Sequence, residues 1–503
     1  MSHAFAHGVA SGDPTAGAVV IWTRIGGSNV PAVEVEWTVA RTPAFEEVVA
    51  SGHTTAAAED DWTVHVDVPG LQPSTTYYYR FDAAGQRSPC GRTRTLGFGA
   101  IDHARFAFVS CAKFNAGHFN VYRRLAARND LDFVLHLGDY IYEASNTPPA
   151  RQTPGADIGR PFEPRHECRT LADYRERYSQ YRRDADLQAL HAAHPMIATL
   201  DDHELADGAW RDGADNHHEE RDGPWAVRRA AAFRARWEWL PARRPDPDDA
   251  ERVHRSVHIG GLAQLFLLDF RSRRDRPTSG AAMASSARSA LGAEQKAWFV
   301  ENVTASDAAW RLIATPTPMA RTWRPGIPAT MHPNLRALKF MHPREDALDE
   351  DQWDGFPAER DELLRVISAA GPGRSLLLAG DLHTSMAVEH PHPDRPTAPL
   401  VVEVVTPSIT SQNLDEKLKV QPGTVGPAIA DEFSRNLPGL RWCDLENHGY
   451  VVVDVRPAEI ALEWWFVDTV LDPTDVESCV QEMTVRNGDA RLLQLVDTTS
   501  RPA

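Results

Sequence analysis

Apolar residues along this chain gather into short unbroken runs that stop at the same kinds of polar residue. Phe133 to Leu137 stops at Gly138-Asp139, and Tyr142 follows three residues later. Phe106 to Val109 stops at Ser110-Cys111, and Met196 to Leu200 stops at Asp201-Asp202-His203-Glu204. Ser375 to Ala379 runs into Gly380-Asp381-Leu382-His383. Short apolar runs bounded by turn residues predict strands buried on both faces. Open α/β sheets bind their ligands at the carboxyl ends of such strands. Four strands ending in Cys, Asp, Asp-His and Asp-His therefore predict a metal constellation.

The remaining pattern divides the chain. Residues 1–98 read as all-β, because Ala18–Arg24, Ala32–Val39, Trp62–Val68 and Thr76–Phe81 are rich in β-branched and aromatic residues between turns. Gly70-Leu-Gln-Pro-Ser-Thr-Thr-Tyr77 is similar to the turn before a late strand of fibronectin type III domains, so a fibronectin-III-like β-sandwich is expected here, as a packing or spacer module. Residues 104–470 read as an α/β domain, since strands alternate with helical patterns near 121–128, 225–240, 293–300 and 359–369. Leu171, Tyr174, Tyr178, Tyr181, Leu187 and Leu190 keep helical spacing with a possible break, and this stripe reads as core. The Pro-rich stretches 144–168 and 316–357 read as long loops, of a length usual for lids or binding loops. Gly449–Val455 and Ala461–Val467 predict a closing hairpin, and residues 471–503 a polar tail with weak strand character.

Composition narrows the function. The chain has 503 residues, 42% apolar and 24% charged, in the ordinary globular range. A net charge of -17 argues against nucleic acid as a stable partner. No apolar run reaches the roughly 20 residues of a membrane span. Five scattered cysteines without a C-x-x-C predict no disulfide framework and favour a reducing compartment. The opening Met-Ser-His-Ala-Phe-Ala-His-Gly has no export pattern, so a cytoplasmic protein is expected, or a secreted or periplasmic one if a signal has been removed.

Carboxylate and phenolate oxygens suit hard cations, whereas imidazole and thiolate select transition metals. Cys, Tyr, His and several Asp together suit two metals, one redox-capable and one harder. Two metals about 3.5–4 Å apart activate water and clamp phosphoryl oxygens during in-line displacement. The ordered set Val9-Ala-Ser-Gly-Asp-Pro14, Ser110-Cys111, Leu135–Glu143, Asp201–Glu204, Leu268-Asp-Phe-Arg271, Trp353–Arg360, Gly380–His383 and Ser408–Ser411 resembles the alkaline phosphatase D (PhoD-type) metallophosphoesterases, relatives of the purple acid phosphatases. The resemblance runs along almost the whole chain. It implies an α/β/β/α catalytic domain hydrolysing small phosphate mono- or diesters by a metal-bound hydroxide at a dinuclear centre. It implies that Cys111, Asp139, Tyr142 and His383 ligate Fe3+, and that Asp139 bridges to a second site completed by Asp202 and Asp381 and filled by Ca2+. By the same resemblance His203 contacts the phosphate or protonates the leaving group, and Arg271 and Arg274 are candidates for holding phosphate oxygens, the alternative being ion pairs with nearby carboxylates.

Two departures stand out. Purple acid phosphatases offer the second metal a further His before the last motif, where this chain reads Arg311–Met319 without one. The twin-arginine export signal of many relatives is also missing from the sequence as it stands. His118, His136, His332 and His342 read as structural or solvated, and Asp349-Glu-Asp351 as a solvated loop. Two other functions fit the pattern: a diesterase acting on phospholipid or teichoic-acid-like substrates, and a catalytically silent phosphate-binding protein.

Overall fold

The computed structural model describes residues 4–26, 30–147, 158–321, 350–392 and 398–494. His332, His342, Asp349 and most of the 316–357 loop lie outside the described residues. Two large sheets pack face to face. In the first, Ala104–Val109, Phe133–His136, Pro195–Ala198 and Val9–Gly12 run parallel side by side. In the second, Ala263–Leu267, Trp310–Ala314, Ser375–Ala379 and Val402–Val405 do the same.

Strand alternation explains the layers. Phe133 and Leu135 face the second sheet and pack with Phe106, Phe108, Leu265, Leu312 and Leu376. Val134, between them in sequence, turns outward to a core containing Tyr122, Tyr174, Tyr178, Tyr181 and Trp237. The aromatic stripe is core, as its spacing predicts. Leu171–Arg182 and Ala185–Ala193 are separate helices, because Asp184 caps the second by accepting from the Asp186 and Leu187 amides. On the other side, Phe266, Ile313 and Leu377 pack against the helices Gly292–Ala305 and Pro357–Ala370. The catalytic layers are therefore α/β/β/α.

The N-terminal region folds as a β-sandwich, but one of its layers is not its own. Val9–Gly12, Val19–Arg24 and Thr63–Val68 close one end of the first large sheet through the parallel pairing of Ser11 with Pro195. The other layer comprises Ala32–Ala40, Val48–Ala57 and Thr76–Ala83, with two short flanking strands. Val19, Ile21, Val35, Val39, Tyr79 and Phe81 fill the space between. Asp13 binds the Arg255 side chain at 2.6 Å and the Arg243 amide at 2.7 Å, tying the two halves together.

The expected tail is likewise part of the fold. Glu477–Arg486 pairs along the whole of Glu459–Val467 and in turn carries Leu492–Gln494. Its alternation was hard to read because only Met483, Thr484 and Val485 are buried in succession, where they cover the sheet edge. The stretch after Ser411 holds two helices, Leu414–Leu418 and Gly426–Asn436, and the edge strand Leu440–Asp444.

Candidate metal centre

The carboxyl ends of the two parallel sets open at the same rim, and there the loops interlock. Cys111 N–H donates to the Gly138 carbonyl at 3.2 Å and Ala112 N–H to the Asp139 carbonyl at 2.9 Å. The Cys111 carbonyl accepts the Thr410 and Ser411 amides, so the first sheet is stitched to the second. Glu204 gathers the remaining loop: its carboxylate accepts the amides of Asp139 at 3.0 Å, Tyr140 at 2.6 Å and Asp201 at 2.8 Å. Gly138 has φ +111°, and a Cβ there would lie 2.3 Å from the Asp201 amide nitrogen, so only glycine lets these two turns touch.

The donor atoms converge. Those of Cys111, Asp139 and His383 lie within 4.8 Å of one another, as do those of Asp139, Asp201 and Asp381, and those of Asp139, Asp202 and His203. Asp139 is common to all three groups. The Tyr142 hydroxyl lies 2.7 Å from Asp139 Oδ2 and 3.5 Å from His383 Nε2, and Ser411 Oγ approaches it at 2.6 Å. His383 Nδ1 is oriented by the Gln412 carbonyl at 2.9 Å, which leaves Nε2 turned to the cluster. Cys111, Asp139, Asp381 and His383 all hold positive φ, between 55° and 64°. Such backbone is strained for Cys and His, and it gathers where the surroundings fix a functional geometry.

Charge crowds this donor set. Burial, and then the neighbouring carboxylates, push the Cys111 thiol and Tyr142 phenol up. Burial also raises Asp139, with Asp202, Glu204 and Asp381 adding to it against the pull of His203. Asp201 and Asp381 are raised by burial as well, although Arg271 opposes. Buried acids that repel one another are favoured as anions where a cation offsets their charge. Thiolate, phenolate, imidazole and carboxylate in one set fit a metal pair.

His203 is paired with a buried carboxylate. Its Nδ1 lies 2.7 Å from Oε2 of the fully buried Glu143, and its ring lies 4.0 Å from that of Tyr142. Burial alone would depress the imidazole, but Asp139, Glu143 and Asp202 outweigh it and hold the ring well above its ordinary value. Among the described residues, Nε2 has no hydrogen-bond partner.

The two arginines meet other partners than the phosphate oxygens considered above. Arg271 Nε binds Asp201 Oδ1, Nη1 binds Asp351 Oδ2 at 2.8 Å, and Nη2 binds Asp381 Oδ2 at 3.0 Å. Arg274 donates to the Ala209 carbonyl, the Asp351 carbonyl and Asp351 Oδ1. Both side chains are fully buried, and their donors are already satisfied by protein acceptors. Asp351 is accordingly no solvated acid: Arg271 and Arg274 hold its carboxyl below the usual range despite the opposing effect of burial. Asp201, Glu143 and Glu204 were not singled out from sequence, although all three sit inside the quoted motifs. His136, as expected, is structural: it is buried between the Tyr122 hydroxyl and the Gly138 amide.

Residues 106–464 match the family described as PhoD-like phosphatase, and residues 1–97 match the PhoD-like phosphatase N-terminal domain. The chain belongs to the PhoD-like phosphatases. Alkaline phosphatase D of Bacillus subtilis (strain 168) is 31% identical across 99% of this chain and 83% of its own length. The solved structure of PhoD superimposes with a TM-score of 0.86 at 30% identity, covering 99% of this chain and 93% of that one. As a PhoD-like phosphatase, the protein is a metal-dependent phosphoester hydrolase. Among the described residues no helix is long and apolar enough to cross a membrane.

Proposed function

We propose that this centre hydrolyses phosphate mono- and diesters, with Cys111, Asp139, Tyr142 and His383 holding one metal ion and Asp139, Asp202 and Asp381 a second. Asp139, common to the donor groups, would contribute to both. The thiolate and phenolate favour ferric iron in the first position and the oxygen-rich set favours calcium in the second. The observation that carries this reading is the convergence of Cys111, Asp139 and His383 donors within 4.8 Å, from strand ends on two different sheets. A bound pair supplies Lewis acidity toward phosphoryl oxygens and acidifies water.

The chain's own residues do the rest. Glu143 holds His203 as an imidazolium, and its Nε2–H is available to the leaving alkoxide. Arg271 and Arg274 act as positioning residues: they lock Asp201, Asp351 and Asp381 in place, and a guanidinium so engaged is poorly placed to grip substrate. Ser411 steadies the Tyr142 oxygen, and Glu204 fixes the backbone of both acidic turns.

Two measurements on purified protein test the reading together. Metal analysis should return about one iron per chain with a visible phenolate or thiolate charge-transfer band, and a nitrophenyl phosphate assay should show turnover that chelators abolish. A colourless, iron-free and fully active protein would overturn the iron assignment. A metal-loaded protein inert toward every mono- and diester would favour the silent phosphate-binding alternative.

A further inference from the structure

Arg271 is a fixed cation built into the wall of the donor cluster. Its backbone amide donates to Asp269 Oδ1 at 3.1 Å, and its side chain is fully buried. Each guanidinium nitrogen meets a different acid: Nε binds Asp201 Oδ1, Nη1 binds Asp351 Oδ2 at 2.8 Å, and Nη2 binds Asp381 Oδ2 at 3.0 Å. Nη2 also lies 3.9 Å from Asp202 Oδ2. Asp202 and Asp381 are two of the three acids proposed for the second metal ion, so the charge of Arg271 stands beside that position. Among the described residues, Arg271 makes no hydrogen bond or ion pair with Cys111, Asp139, Tyr142 or His383, the set proposed for the first.

This guanidinium can neither lose its charge nor swing away. Arginine stays protonated throughout the pH range of folded proteins. Its three acidic partners come from separate stretches of the chain, and Arg274 grips Asp351 from another direction at 2.7 Å. A positive charge held a few ångströms from a cation site lowers the affinity for every cation, and the penalty grows with the charge of the ion. A trivalent ion therefore loses more than a divalent one. Burial limits screening by salt, so the discrimination persists at ordinary ionic strength. The first position has the opposite character, because a thiolate and a phenolate there add negative charge that favours a trivalent ion.

We propose that Arg271 sets the charge of the second metal ion, admitting a divalent cation and disfavouring a trivalent one, an inference that rests on the two-cation reading of the site. The test titrates the full chain, carrying its iron, with Ca2+ and with Tb3+, a trivalent ion of similar size. Calorimetry and terbium luminescence give the two affinities, and the visible charge-transfer band reports that iron stays in place. The readout is the ratio of Tb3+ to Ca2+ affinity. Arg271→Met should raise it by about 10- to 100-fold, the effect of one unit charge at about 6–10 Å in a partly screened site. Arg271→Lys keeps the charge with fewer hydrogen bonds and should keep most of the wild-type ratio. Asp351→Asn leaves more of the Arg271 charge uncompensated and should shift the ratio the opposite way, downward. If Arg271→Met does not fold, Arg271→Gln takes its place, and the downward shift in Asp351→Asn remains an independent check. An unchanged ratio in the neutral variant, or an equal loss of both ions, would make Arg271 only a brace for its acids and overturn the proposal. Iron-loaded wild-type protein that binds neither ion would instead remove the two-cation reading on which it rests.

Discussion

Replacing Glu143 by Gln separates the proton-transfer role of His203 from metal binding. Glu143 is fully buried, accepts the Asp207 amide at 2.8 Å and lies 2.7 Å from His203 Nδ1. Burial would raise this carboxyl, but His203 and then Arg228 hold it at about 2, so the pair is ionic. Gln keeps the volume and the bond from Asp207 while removing the charge that stabilises the imidazolium. A hydrogen bond to a charged group contributes about 1.5–3 kcal/mol, equivalent to about 10- to 150-fold in rate. That loss should appear in kcat/KM for an alkyl phosphate, whose alkoxide needs a proton, and shrink for a nitrophenyl ester, whose leaving group departs unaided. His203→Asn should reduce alkyl phosphate turnover by about 10²–10⁴, the scale of a positioned acid. The double variant should be no worse than His203→Asn alone, because Glu143 acts through His203. Metal content should be unchanged in all three variants. Equal losses for good and poor leaving groups would mean that His203 stabilises phosphate charge. Loss of metal from His203→Asn would make it a ligand, a possibility its grouping with Asp139 and Asp202 makes concrete.

Asp139→Asn removes the charge shared by all three donor groups, and it should lose at least one metal by elemental analysis together with essentially all activity. His136 gives a stability prediction with a definite sign: burial, and secondarily Arg236, lower its folded value from 6.5 to about 3. The ring is neutral in both states above 6.5, so its contribution is fully present there; as pH falls, the unfolded chain takes up a proton that the folded one refuses until about 3. Urea unfolding should therefore show about 2 kcal/mol lost between pH 7 and pH 5 from this ring, a slope that His136→Gln removes; the same slope in that variant would assign it to other groups. Asp354→Ala should destabilise by about 1.5–3 kcal/mol, since it removes the buried carboxylate that binds Arg360 Nη1 and leaves the guanidinium only its half-exposed partner Asp361, and denaturant titration would read this directly.

The sequence disclosed the site more fully than the fold around it, for a physical reason. A buried parallel strand is a short apolar run, and its end is marked by the first polar residue, so Asp139, Asp202 and Asp381 could be placed at strand ends without knowing which strands neighbour one another. Strand order was not legible. Nothing in Val9–Gly12 says that it pairs with Pro195–Ala198 rather than staying inside its own sandwich. Glu477–Arg486 escaped because an outer strand covered on one side carries too few apolar residues to stand out from a polar tail. Partners of charged side chains were equally hidden. Asp351 looked like one acid in an acidic run, and only the fold brings Arg271 and Arg274 to it from a loop about 80 positions earlier.

The donor geometry is fixed by hydrogen bonds between the loops that carry it. Cys111 and His383 sit in a left-handed backbone that costs about 1–2 kcal/mol for a residue with no side-chain reason to adopt it. Such strain persists only when neighbours over-determine it. Cys111 is pinned on both sides, by the Gly138 carbonyl at its amide and by the Thr410 and Ser411 amides at its carbonyl. Asp139 is pinned by Glu204 at its amide and by Ala112 at its carbonyl. These bonds join loops from two sheets whose cores are independent of the site, so the stability of the sheets fixes the rim. The strain resides where the donors point inward. The same logic accounts for the motif Trp353–Arg360, which among the described residues lies outside the three donor groups. Trp353 packs 4.9 Å from Phe270, and its indole donates to Thr315, while Gln352 just before it reaches Asp381. A stretch that reads as part of the catalytic signature therefore works by bracing the loop that carries Arg271 against the turn that carries Asp381.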